Sequence, residues 1–201
     1  MKIKHILFTL FFLLIFSSCE TRSDDLRPNF VFILADDLGY GELGILGQKF
    51  IETPNIDQLA KEGMILKDHY TGSPVCAPAR AVLLTGLHSG NNPIRGNDEW
   101  RERGDVWSFQ AMFENSDLEG QRPMPDSIIT VAEFLQSNGY KTGMVGKWGL
   151  GAPNTNSIPN NKGFDFFYGY NCQRQAHTLY PSHLWRNKER QILDNQIVNK
   201  G

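Results

Sequence analysis

No apolar run in the 201 residues is long enough to cross a bilayer. The run at residues 6–16 would make a helix of about 16 Å, against a hydrocarbon core of about 30 Å. Charge of one sign is also lacking: 20 Lys and Arg face 22 Asp and Glu, a formal −2, and no basic stripe with interleaved aromatics appears. Nucleic acid is therefore excluded as an expected partner. Cysteine is scarce, with 3 residues in all, so a disulfide-rich scaffold is excluded as well. No internal repeat or low-complexity tract is present. What remains is 40% hydrophobic with 19 Gly and 10 Pro, enough for one globular core and too little for two large ones.

Lys2 and Lys4 precede the short apolar run, and small residues and Cys19 follow it, the order of a secretory signal over residues 1–18. The stretch "FSSC" resembles a bacterial lipobox, with Phe16 in place of the usual leucine. That resemblance implies cleavage before Cys19, lipid on its side chain and contact with a membrane through the lipid. It also implies an exported bacterial protein, a periplasmic or outer-membrane lipoprotein. Residues 19–28 read as the lipid-bearing cysteine and a polar tether. Cys76 and Cys172 would then be left in an oxidising compartment, where a disulfide between them is an open alternative.

Residues 30–35, "FVFILA", have the pattern of a strand buried on both faces, and they end at Asp36 and Asp37. "TPNIDQLAKEG" predicts a helix with Thr53 at the N-cap, Pro54 first in the helix, Ile56, Leu59 and Ala60 on one face, and Gly63 as terminator. Residues 64–70 read as a second strand. After a loop around Cys76, residues 79–84 read as a helix. Residues 91–125 show no sustained period and read as a long surface excursion. Thr130 and Glu133 predict a capping box for a helix with Val131, Phe134 and Leu135 on its apolar face, and "YKTGMVGK" a strand that delivers Lys147. Strands alternating with helices predict an α/β fold, a sheet with helices on both faces and functional residues at the carboxyl ends of its strands.

Asp36 and Asp37 are either solvated turn acids or oxygen ligands of a hard divalent cation. Lys147 is either a surface lysine or a group that meets an oxyanion at close range. Cys76, bracketed by Pro74 and Pro78 with Arg80 four residues on, is not placed like a packing residue.

Taken together these stretches resemble one family. "CAPARAVLLTG" is similar to the sulfatase signature, Cys-x-Pro-x-Arg followed by a small and apolar helix ending in Thr-Gly. "NFVFILADDLGYGELG", "TPNIDQLAKEG", "GYKTGMVGKWGLG" and "GFDFFYGY" fall in the family's order and spacing. The resemblance is to the N-terminal portion of a formylglycine-dependent, arylsulfatase-like sulfatase of alkaline-phosphatase-like fold. It implies that a formylglycine-generating maturase oxidises Cys76, and that Asp36, Asp37 and the modified Cys76 bind Ca²⁺, with Mg²⁺ as second choice. It implies that Arg80 holds the nucleophile and the metal-site carboxylates, that Lys147 binds a sulfate oxygen, and that His177 protonates the leaving group, ahead of His183 and His69. A structural or surface role is the alternative for His177.

The implied activity is hydrolysis of sulfate esters of saccharides. Two alternatives are phosphonate or phosphate ester hydrolysis with the same machinery, and a non-catalytic carbohydrate-binding relative. Three departures from the family pattern stand out. Gly149 replaces the histidine of Gly-Lys-Trp-His, so one contact must be absent or supplied by another group. A downstream Asp-Asn metal pair and a further lysine have no counterpart, and neither do the elements that close the sheet and add a smaller domain. Residues 29–201 are therefore expected to be the N-terminal part of a catalytic domain, with little turnover alone. Trp100, Trp107, Trp185 and Tyr180 are either sugar-stacking faces or packing anchors.

Overall fold

The computed structural model describes residues 27–197. The expected signal at 1–18 and the lipid-bearing Cys19 lie outside the described residues. Two compact units divide the chain, the first running to Ile65 and the second starting at Leu66.

In the first unit, 3-10 turns at Tyr40–Glu42 and Gly44–Leu46 lead to helix α1, Pro54–Glu62. Pro54 opens the helix as expected, its fixed φ and missing N–H costing nothing at that position. Thr53 stands at the N-cap without capping: its Oγ1 donates to Asp57 Oδ1 at 3.0 Å and accepts from the Gly44 N–H at 2.8 Å. Asp57 also accepts from the Ile45 N–H at 2.8 Å, so one carboxylate ties the 3-10 turn to the helix. The strand expected at residues 30–35 does not form. Val31 is 87% and Ile33 84% exposed. A strand of this composition is stabilised only by neighbours on both edges and both faces, and no ladder reaches these residues among those described. The strand expected at 64–70 is likewise absent, with Met64 and Leu66 exposed.

The second unit holds the sheet. Its elements are α2 (Cys76–Thr85), α3 (Phe109–Glu114), α4 (Val131–Ser137), β1 (Gly143–Lys147), β2 (Phe166–Tyr170), α5 (Gln173–Ala176), β3 (His183–Arg186) and β4 (Glu189–Ile192). Four strands lie in the order β1-β2-β3-β4. β1 and β2 are parallel, with Lys147 opposite Tyr170, and the two later pairings are antiparallel. Asn187 and Lys188 join β3 to β4 as a two-residue turn, with Asn187 at φ 56°, the left-handed conformation such turns require. Thr130 and Glu133 make both bonds of the predicted capping box.

α2 contributes small residues, Ala77 and Ala81, to a core with Met124, Trp148, Leu150, Phe167 and Trp185. Alanines on that face let the helix backbone approach the buried Trp148, whose Nε1 donates to the Ser157 carbonyl at 2.8 Å. The excursion at 91–125 is more ordered than its sequence suggests. Arg103 donates to the carbonyls of Asp117, Glu119 and Gly120 at 2.5, 2.8 and 2.6 Å, and α3 buries Phe109 and Met112 beside Cys172. A cationic fork that saturates three carbonyls does there what a hydrophobic period does elsewhere.

Candidate active site

Cys76 is the first residue of α2, not part of the preceding loop. Pro78 is compatible with this because it falls in the first turn, where its missing N–H has no helical partner to lose. The Ala77 N–H, one of the orphan donors of that turn, donates to Asn97 Oδ1 at 2.9 Å. Asn97 therefore fixes the helix start that carries Cys76, whose side chain is half-buried.

One turn along, Arg80 is buried, at 7% exposure. Its Nε donates to the Trp148 carbonyl at 2.7 Å and its Nη2 to Gln173 Oε1 at 2.7 Å. Lys147, half-buried, ends β1 immediately before Trp148. Register between the parallel strands persists past their ends: the Trp148 N–H donates to the Tyr170 carbonyl at 2.9 Å and the Gly149 N–H to the Asn171 carbonyl at 3.1 Å. Three segments thus meet at one guanidinium, namely the head of α2, the carboxyl end of β1 and the start of α5. His177 closes α5 at its C-cap and is exposed.

Asp36 and Asp37 belong to the first unit, as exposed bend residues, with Asp37 at φ 55°. Cys76, Arg80, Lys147 and His177 belong to the second. Among the described residues no group of three or more His, Cys, Asp or Glu is arranged to hold a metal. Two carboxylates fall well short of the 6–8 oxygens that Ca²⁺ takes, so the described residues do not complete a calcium site.

Other candidates acquire structural roles. His183 is buried, with Nε2 2.8 Å from Glu119 Oε2, and the same carboxylate accepts from Trp185 Nε1 at 2.7 Å. Both rings are packing anchors, and His183, at 1% exposure, is not placed to protonate a leaving group. Trp100 lies under Arg103, and Trp107 under Arg101 and Arg174. Tyr180 and His69 are exposed. Cys76 and Cys172 are both free thiols, not a disulfide. Burial, with Glu99 and Glu119 adding to it, pushes the Cys172 thiol up to about 11.

Neither Asn97 nor Gln173 stands in a recognisable sequence motif. Gln173 sits in the same stretch as His177, but its contact with Arg80 spans 93 positions and leaves no local mark.

Comparison with known proteins adds to this geometry. The family described as Sulfatase matches residues 28–201. Arylsulfatase D from Homo sapiens is 39% identical over 166 residues, which is 80% of this chain and 26% of that protein. Among solved structures, Ps i-CgsB superposes with a TM-score of 0.61 at 31% identity, over 82% of this chain and 37% of that one. The same protein has been solved with k-i-k-neocarrahexaose, with a TM-score of 0.59 at 28% identity over 81% of this chain and 36% of that one. BT4656, solved with its substrate D-glucosamine-2-N,6-O-disulfate, gives 0.56 at 26% identity over 83% of this chain and 28% of that one. The chain spans about a quarter of the length of the curated relatives it matches and about a third of the solved ones.

Proposed function

The chain belongs to the sulfatase family, and we propose that it carries the nucleophile-bearing part of an enzyme that hydrolyses sulfate esters of saccharides. The observation that carries this reading is the junction at Arg80. It ties the helix headed by Cys76 to the strand end that holds Lys147.

In this proposal a maturase, drawing on an external oxidant, would oxidise Cys76 to formylglycine, the thiol sulfur leaving as sulfide. As the aldehyde hydrate, the residue would supply two geminal hydroxyls, one as the nucleophile toward sulfur and one whose deprotonation would let sulfate leave by carbon–oxygen cleavage. The head of α2 places positive helix-end potential beside that residue, which favours an oxyanion there. Arg80, held through its Nε and Nη2, keeps its position without reorganisation as charge develops. Lys147 meets a sulfate oxygen as a point charge. His177, exposed at the end of α5, is the proton donor to the departing alcohol. Asp36 and Asp37 are assigned as two oxygen ligands of Ca²⁺, and no catalytic step is assigned to the ion. Saccharide substrates are proposed from the neighbours solved with k-i-k-neocarrahexaose and with D-glucosamine-2-N,6-O-disulfate. Export and lipid attachment at Cys19 complete the proposal, with residues 29–201 forming part of a catalytic domain.

The test is turnover of aryl sulfate and aryl phosphonate, side by side, by the chain matured at Cys76. Slow, Cys76-dependent release from the sulfate is expected, lost in Cys76→Ala and reduced by about tenfold or more in Lys147→Ala. Preference for the phosphonate would move the substrate class. Binding of a sulfated saccharide with no Cys76-dependent turnover would replace the hydrolase with a binding protein.

A further inference from the structure

We infer that Gln173 is the positioning residue for Arg80, and that residue 149 is glycine because Gln173 and Arg80 occupy the space a side chain there would need. The contact itself is independent of the proposed function, while its catalytic consequence rests on that reading.

Arg80 has only donors, so the Gln173 atom 2.7 Å from Nη2 is necessarily the amide oxygen. With the Trp148 carbonyl on Nε, the two bonds fix both the plane and the rotation of the guanidinium. Gln173 is itself held. It is buried, at 2% exposure, and its backbone N–H donates to Gln121 Oε1 at 3.1 Å. Gln121 in turn donates through Nε2 to Glu99 Oε1 at 2.8 Å. A line of amide and carboxylate groups thus runs from the 91–125 excursion to the arginine, giving that excursion a purpose in the site.

Gly149 has φ +64°, which L side chains seldom adopt. A Cβ built there would lie 2.6 Å from Arg80 Nη2, 2.8 Å from Gln173 Cβ and 3.1 Å from Gln173 Oε1. Any side chain at 149 therefore displaces the arginine, the glutamine or both. The space that a histidine side chain of the Gly-Lys-Trp-His pattern would enter is taken by Arg80 and by the Gln173 amide from α5.

The decisive variants are Gln173→Met, which keeps bulk and removes the acceptor, Gln173→Glu, which keeps the acceptor, and Gly149→Ala. The readout is hydrogen exchange of the Arg80 Nη2 protons, which donate to Gln173, by ¹⁵N NMR on the 201-residue chain, with the resonance assigned by its loss in Arg80→Lys. Wild type and Gln173→Glu should show a protected resonance, and Gln173→Met and Gly149→Ala should exchange about tenfold faster or more, as expected for loss of one charge-assisted hydrogen bond. A resonance equally protected in Gln173→Met, or none protected in wild type, would overturn the inference. In the matured chain, Gln173→Met should lower kcat for aryl sulfate with little change in KM, and Gln173→Glu should restore part of it. If wild type shows no turnover while the exchange pattern holds, the hydrolase reading fails and the positioning role stands.

Discussion

Cys76 and Cys172 carry the same thiol in opposite surroundings. Cys76 heads a helix with its side chain half-buried, whereas Cys172 is enclosed beside Phe109 and Met112. Iodoacetamide at mildly alkaline pH should label Cys76 in the native chain and leave Cys172 untouched until denaturant is added, as peptide mass mapping would show. Burial raises the Cys172 thiol from 9.0 to about 11, so the folded state keeps a proton that the unfolded chain releases. Stability should therefore fall as pH climbs from about 9 to about 11, and the fall should be shallower in Cys172→Ala. At this scale the sequence was informative wherever chemistry is local. The Cys76 to Arg80 spacing is one helical turn and could be read directly. Asn97 and Gln173 could not, because each acts on residues 20 and 93 positions away through a single hydrogen bond.

Helix α4 and the segment at 30–35 show why some elements are legible and others are not. The ends of α4 are set by contacts within a few residues, so Thr130 and Glu133 announced it correctly. Thr130 does more than cap: its Oγ1 also donates to the buried Lys162 carbonyl at 2.8 Å. Thr130→Ala should cost about 2 kcal/mol, from a lost cap and an unpaired carbonyl, and Thr130→Ser markedly less. Urea midpoints at unchanged slope would check this. The packing of that turn also depends on Gly163, at φ +90°, where an added Cβ would strike the backbone of Ala132 and Glu133. The apolar run at 30–35 has strand composition, but a strand is made by its partners, and composition alone does not supply them. Its exposure is a fact of tertiary surroundings that no local pattern encodes.

The described residues expose apolar side chains in quantity, among them Phe30, Val31, Phe32, Ile33 and Leu34 in the first unit and Phe134 and Val145 in the second. Surfaces of this kind bind dyes and associate. The 201-residue chain should bind ANS in its folded state and self-associate with concentration. Val31→Lys with Ile33→Lys should reduce association with little change in melting temperature, because neither side chain is buried. Light scattering against concentration would decide it. Across the whole molecule, the α/β class and the family were legible because the motifs are short and ordered along the chain, whereas the mixed four-stranded sheet was not, since its antiparallel half rests on a β2–β3 pairing across residues 171–182 as well as on the Asn187 turn. The most direct test of the central claim is peptide mass spectrometry of the Cys76 peptide after co-expression with a formylglycine-generating maturase. A mass loss matching conversion of the thiol to an aldehyde at Cys76 is the expected result for the wild-type sequence. An unmodified Cys76 thiol under conditions that mature a control sulfatase would contradict its role as the source of the nucleophile.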